Sequence, residues 1–257
     1  MLDAITPLVL TYDEAPNIAR TLARLAWARE IVVVDSFSTD GTVEIVAAHA
    51  NARLVQRKFD CHANQWNFGL KECGIHTEWV LALDADYIVP DALVREVNAL
   101  TPGADVAGYQ AAFRYCVEGQ ALRGTAYTPV TVLFRRARAE YTQDGHTQRV
   151  RLEGRVLHLS SPIDHDDRKS LRRWLLAQSY YMQLEAEKLS GSRFAELALQ
   201  DKVRRLILIA PEVMFLYCLF VQGNILDGRA GLFYALQRAV AEAILSLHLM
   251  HRALLKR

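Results

Sequence analysis

The stretch Trp79-Val80-Leu81-Ala82-Leu83-Asp84-Ala85-Asp86-Tyr87 decides how the rest of the chain is read. It begins as an unbroken apolar run, the pattern of a strand buried on both faces. It ends in two carboxylates. Side chains at i and i+2 of an extended chain point the same way, so Asp84 and Asp86 are expected to face one cleft. The carboxyl edge of an open α/β sheet is where such folds bind ligands. Two close acids repel each other unless a cation or a proton intervenes. A divalent cation that also holds substrate phosphates suits them. The plainer alternative is that both acids only cap the strand or a following helix. On these residues alone both readings stand.

Upstream, Ile5 to Leu10 is a second apolar run, ending at Thr11-Tyr12-Asp13-Glu14. Ile18, Leu22 and Leu25 follow at helical spacing, with Pro16 tolerable in a first turn and Asp13 a candidate N-cap. Ile31-Val32-Val33-Val34 is the clearest buried strand, and it ends at Asp35 in a polar turn. A helix containing Val43, Ile45 and Val46, a short strand at Arg53-Leu54-Val55 and a helix over His62 to Cys73 lead back to the strand that ends at Asp84. Strands alternating with helices predict a parallel, doubly wound sheet. Thr11–Glu14, Asp35 and Asp84–Asp86 then share one edge.

Downstream of Pro102 the pattern changes. Val106–Tyr115, Val130–Arg135 and Arg151–Leu159 read as strands, and Tyr141–Gln148 as a polar loop. From Asp166 on, everything reads as helix, with breaks at Ser190-Gly191-Ser192 and around Gly223 to Gly228. We therefore expect a nucleotide-binding and catalytic part over 1–165 and a helical part over 166–257. The 257 residues are 51% apolar and 23% charged, which fits a globular chain with a real core. A net charge of +1 gives no general attraction to nucleic acid. The balance is uneven. Residues 1–165 hold 16 Lys/Arg against 20 Asp/Glu, and residues 166–257 hold 14 against 9. No cysteine pair has metal or redox spacing, and the N-terminus lacks the basic-then-apolar pattern of a signal peptide. A cytoplasmic location is expected, with a peripheral contact on the inner face of the membrane as the variant.

A dinucleotide fold needs a glycine fingerprint after its first strand, and a P-loop needs Gly-Lys-Ser/Thr. Neither is present. A diphosphate would need another counter-charge, and a metal on Asp86 would supply it. Taken together, Leu10–Ile18, Val34–Thr42, Gln65-Trp66-Asn67-Phe68-Gly69 and Leu83–Asp86 resemble, in order and spacing across residues 5–100, a family 2 glycosyltransferase of the GT-A fold. One departure is Asp13, where that family usually has Asn. The resemblance implies an α/β, Rossmann-like, mainly parallel sheet with a C-terminal helical extension. It implies inverting transfer of a sugar from a nucleoside diphosphate, UDP favoured, with Mg²⁺ or Mn²⁺. Thr11, Tyr12 and Glu14 would line the base and ribose pocket. Asp35 would accept a hydrogen bond from the base, and Gln65 and Asn67 would approach the nucleotide. Asp84 would touch ribose or a metal-bound water, and Asp86 would bind the metal.

Inversion needs a carboxylate to take the acceptor's proton. Relatives with this layout carry His-Glu before a turn. Here the pair is His146-Thr147, so Asp144 is the candidate base, with a plain Asp-Gly turn as the alternative. Asp164-His165-Asp166-Asp167-Arg168-Lys169 resembles, more loosely, bacterial lipopolysaccharide-core glycosyltransferases of this family. His165 is a candidate metal ligand and Arg168 a candidate diphosphate contact, and Asp166 and Asp167 equally suit a helix start. Leu206–Val221 is apolar but shorter than the ~20 residues of a spanning helix. With Lys202, Arg204, Arg205, Arg252, Lys256 and Arg257 nearby, the helical part suits an anionic membrane surface, or else packing or a homodimer contact. The acceptor is expected to be a glycan or a lipid-linked one, and a polyprenyl-phosphate sugar transferase is a close variant. A metal-dependent phosphohydrolase is a rival, disfavoured because Ile88 stands where such chemistry wants a small hydroxyl residue. A non-catalytic peripheral protein is another, supported only by the missing Glu at Thr147.

Overall fold

A computed structural model describes residues 1–144 and 147–255. Two compact units emerge: residues 1–119 with 127–168, and residues 120–126 with those from Lys169 on.

The first unit opens with the expected alternation. β1 (Ile5–Thr11), α1 (Ile18–Ala23), β2 (Ile31–Asp35), α2 (Thr42–Ala47), β3 (Ala52–Gln56), α3 (His62–Glu72) and β4 (Trp79–Asp84) follow in order. β5 (Tyr87–Ile88), α4 (Asp91–Ala99), β6 (Val106–Ala111) and β7 (Phe113–Val117) come next. β1, β2, β3 and β4 lie parallel in a sheet that also holds three later strands. These are β9 (Val130–Arg135), β12 (Arg155–His158) and β6, in the order β12-β6-β9-β4-β1-β2-β3, with β9 antiparallel to both its neighbours. The label β8 is kept for Gln120–Ala121 of the second unit.

Why these strands are central is plain from their composition. Leu8, Val9, Val32, Val33, Val34, Val80 and Leu83 have no exposed surface, so both faces of the sheet are covered. One face packs Ile18, Leu22, Leu93 and Val97 from α1 and α4. The other packs Trp66 and Leu70 from α3. Burying each of these large side chains contributes about 1.5–3 kcal/mol.

Three readings of the sequence are corrected. Val106–Tyr115 is not one strand: it breaks at Ala112 into β6 and β7, which lie in different sheets. β7 pairs with β13 (Ile163–His165), which also pairs with β5. Tyr141–Gln148 is not simply a loop, because β10 (Ala139–Asp144) and β11 (Thr147–Leu152) form a hairpin register from Ala139↔Leu152 to Asp144↔Thr147. Its polar residues hid a strand whose inward side chain, Tyr141, is buried and stacked 5.3 Å from Trp66. Asp13 does not cap α1. It lies at φ 51°, in the left-handed region that Asn and Asp tolerate better than other side chains. That tolerance explains the Asn-to-Asp departure better than capping does.

The second unit is helical. α5 (Leu171–Gly191), α6 (Leu199–Arg204), α7 (Ala210–Leu216) and α8 (Gly228–Leu255) make its frame. α7 continues as a π-helical turn over Tyr217–Val221. α5 starts at Leu171 behind the cap Ser170, whose hydroxyl accepts from the Arg173 N–H, so Asp166 and Asp167 do not start it. Met182, Leu189, Leu245 and Leu249 form its core. Arg204 lies among Glu185, Glu242 and Asp201 at 3.3, 3.1 and 3.6 Å and ties α5, α6 and α8 together. The strip 120–126 belongs here through Arg123 and Gly124, whose N–H groups donate to Asp227 and Asn224, and through the Tyr234 hydroxyl, which takes the Ala126 N–H. The segment Asn224–Leu255 is long and apolar enough to cross a membrane by length and composition, and 44% of its most apolar window is buried within the fold.

Candidate active site

Parallel strand order brings the acidic strand ends together. Thr11 stands opposite Asp35 in register, and Leu10 opposite Asp84. Two loops lock together above them. The Asp13 N–H donates to Ser38 Oγ at 2.7 Å, the Glu14 N–H to Thr42 Oγ1 at 2.7 Å, and the Thr39 N–H to the Asp13 carboxylate at 2.7 Å. The turn residues of β1 and β2 are thus one structure, with Tyr12 and Phe37 left exposed upon it.

Asp35 is fully buried. Its carboxylate accepts from the Ser38 N–H and hydroxyl and from Gln56 Nε2, so it orders the turn that follows β2. Thr11 Oγ1 is buried without a hydrogen-bond partner. Gln65, also buried, donates to Ser36 Oγ at 3.1 Å and accepts from Arg57 at 2.7 Å, so it meets the same turn. Asn67 is placed differently. Its side-chain amide donates to the Tyr141 carbonyl and accepts from the Tyr141 N–H, both at 2.9 Å, and so mimics a strand partner for β10.

β4 ends at Asp84, and the chain turns through Ala85 and Asp86 before β5, so the extended geometry expected of the pair does not continue through Asp86. The two acids still act on common neighbours. Burial, with the charges of Asp84 and Asp86, pushes the Tyr87 phenol far above its ordinary range. Burial also pushes Tyr141 up, and the charge of Asp84 adds to it. Asp86 is 8% exposed and lies 3.2 Å from His165 Nε2. Burial alone would lower the His165 pKa, but the charge and hydrogen bond of Asp86, with Asp167 and Asp84, outweigh it and raise it. The rings of Tyr87, Tyr115 and Tyr127 stand edge-on to the imidazole at 5.0–5.3 Å, and His165 Nδ1 is buried without a partner.

Beside this pair lies a second cluster, built around Asp166. Asp166 is 5% exposed and donates its N–H to the Asp86 carbonyl. Its carboxylate accepts from Arg20 at 2.7 Å, from Arg168 Nε and Nη2 at 2.9 and 2.8 Å, and from the Gly119 N–H at 3.1 Å. Burial would raise this carboxyl's pKa, yet Arg168, the Gly119 N–H and Arg20 together hold it below its ordinary value. Arg168 also pairs with Glu118 at 3.0 Å. Asn17, fully buried, bonds Glu14, Asp167, Arg20 and the Arg168 N–H, and so joins the β1 loop to the segment after β13. Asn17 stands in the quoted motif, but nothing in the sequence signalled Arg20 as its partner. Asp144, at the end of β10, pairs with Arg149. Gly145 and His146 lie outside the described residues.

Among the described residues no three His, Cys, Asp or Glu side chains converge as a metal cage. A two-ligand site of Asp86 and His165 fits an ion that completes its shell with diphosphate oxygens and water.

Residues 8–162 match the model of glycosyl transferase family 2. The match spans more than half of the chain, which therefore belongs to this family, and the protein is a glycosyltransferase. It is 26% identical over 98% of its length, and 94% of the relative's, to a lipopolysaccharide core biosynthesis glycosyltransferase, LpsC, of Rhizobium meliloti (strain 1021). The fold resembles mannosyltransferase PcManGT from Pyrobaculum calidifontis, solved in complex with GDP-Man and Mn²⁺, at TM-score 0.54 and 19% identity over 96% of this chain and 89% of that one. It also resembles residues 1–349 of TarS from S. aureus in complex with UDP-GlcNAc, at TM-score 0.50 and 15% identity over 98% and 91%.

Proposed function

We propose that the protein is an inverting, divalent-metal-dependent glycosyltransferase. It would move a sugar from a nucleoside-diphosphate sugar, UDP favoured, to a lipopolysaccharide-core or other cell-surface glycan acceptor. The observation that carries this is the meeting of Asp84, Asp86 and His165 at the carboxyl end of β4 in a family 2 chain. The near full-length likeness to a lipopolysaccharide core enzyme supports the acceptor class.

In this reading Thr11, Tyr12 and Glu14 bound the nucleoside pocket. Asp35 and Gln65 hold the turn that closes it, and Asp84 meets the ribose side. Asp86 and His165 hold the cation, Mg²⁺ or Mn²⁺, which would offset the charge that builds on the leaving diphosphate. Arg168 is engaged by Asp166 and Glu118, so its part is to fix the segment carrying His165, with the diphosphate as a further contact. Asn67 serves by anchoring β10. Asp144 takes the acceptor proton, and Arg149 pairs with it at the end of β10. The catalytic part and the helical part divide the work: the exposed apolar surface of the second unit favours a membrane-surface position, where a lipid-linked acceptor is met.

Calorimetry with UDP, GDP and CMP, with and without Mn²⁺, tests this on the wild type and Asp86→Ala. Metal-dependent binding that the substitution abolishes supports it. Absence of binding to any nucleotide would sink it.

A further inference from the structure

In the second unit, Ser190, Arg205, Ile207, Leu249, Arg252 and Ala253 line a cavity of about 280 Å³. Two arginines share the lining with Ile207, Leu249 and Ala253. Arg205 donates to the Ser192 carbonyl at 3.3 Å and lies 5.6 Å from the Phe194 ring centre. Arg252 faces the half-exposed Glu187 at 3.4 Å, and its Nε is buried without a partner. Among the described residues, Glu187 pairs with Arg252 and no carboxylate is paired with Arg205.

Ile207, which lines the same cavity, lies at φ 48°. A β-branched residue is strained there, and such strain persists only where its surroundings fix it. The Ser246 hydroxyl does so by donating to the Ile207 carbonyl at 2.6 Å. Ile207 lines the cavity while its neighbours Leu206 and Leu208 are 51% and 77% exposed. Leu254, next to Ala253, is 64% exposed. Further along, Ile209, Leu216, Phe220, Val221 and Leu226 are exposed as well. Large apolar side chains exposed in such number within one unit suit an apolar partner.

We propose that this cavity is a binding site for the phosphate of an anionic membrane phospholipid, with Arg205 and Arg252 on the headgroup and Leu206, Leu208 and Leu254 in the acyl boundary. Arginine forks match phosphate oxygens, and the flanking leucines suit the hydrocarbon beneath a headgroup. A free soluble phosphate would leave the leucines in water, which is why a lipid is the occupant. This rests on the membrane-surface reading of the second unit given above.

The test is flotation of the full chain with vesicles of phosphatidylcholine alone and of phosphatidylcholine with phosphatidylglycerol. The wild type, Arg205→Gln/Arg252→Gln and Leu208→Ser are compared, with circular dichroism and nucleotide affinity as checks on folding. The arginine variant should lose about 30-fold in affinity for the anionic vesicles, the worth of two surface cations. It should then bind both vesicles alike, with nucleotide affinity unchanged. Leu208→Ser should weaken binding to both vesicles. An arginine variant that keeps the anionic preference overturns the site. So does self-association that the same substitution abolishes. Wild type that floats equally on both vesicles overturns the cavity but leaves the membrane-surface reading standing, whereas failure to float on either removes both.

Discussion

In the first unit, charged side chains gather at one sheet edge and each buried acid there meets donors. Asp35, Asp86 and Asp166 are all under a tenth exposed, and each has named partners. In the second unit the pattern is inverted. Charge is drawn inward onto Arg204 and its three acids, while leucines and phenylalanines stand in solvent. A buried charge persists only when it is paired, and an exposed apolar face persists only at a cost in solubility. The first unit thus has the profile of a prepared polar cleft, and the second that of a surface awaiting an apolar partner.

The largest expected effect breaks the first half of that contrast. Asp144→Asn should lower transfer by about 10²- to 10⁴-fold with nucleotide affinity nearly unchanged, measured as turnover against donor concentration. Near-normal turnover would move the proton acceptor elsewhere. Arg204→Met should destabilise the second unit by about 3–5 kcal/mol, since it leaves buried carboxylates without their cation. Urea unfolding checks this, and a loss below about 1 kcal/mol would mean that water already reaches the cluster.

Most of the first unit was legible in the sequence because period and punctuation agreed there. Ile31–Val34 is apolar at every position and ends in a polar turn, and its neighbours repeat the pattern. The break at Ala112 was not legible, since no glycine or proline marks the switch of sheet. The hairpin of Tyr141 was hidden because its polar face dominates the composition. At the site, Asp84, Asp86 and His165 were singled out through the family resemblance, and the structure sets Asp86 against His165. Their aromatic surround of Tyr87, Tyr115 and Tyr127 was not, because its members are far apart in the chain and meet only where β5, β7, β13 and the segment before β9 come together. The helix-start alternative for Asp166 could not be decided for a related reason: a helix start and a partner for Arg20 look the same until α1 is placed.

A pH test sharpens the comparison at smaller scale. Burial would raise the Glu96 pKa, but the N–H groups and hydroxyls of Ser160 and Ser161 outweigh it and hold it below its ordinary value. A depressed carboxyl stabilises above its unfolded pKa, and that contribution is lost as pH falls through the folded one. Glu96→Gln should therefore cost roughly 1 kcal/mol at neutral pH and nothing in strong acid, read from denaturant midpoints across the acid range. Smallest of all, Leu208→Ser should change folding stability by less than about 0.5 kcal/mol, because that side chain is already in water. A larger loss would mean that the exposed face is covered within the folded protein.

The most direct measurement is paramagnetic broadening of the histidine ring resonances by Mn²⁺ in the presence of UDP, with His165→Gln used for assignment. We expect the His165 signals to broaden first among the eight histidines, and the effect to vanish in Asp86→Asn. A His165 signal that stays sharp while nucleotide and metal are bound would contradict the placement of the metal at the end of β4.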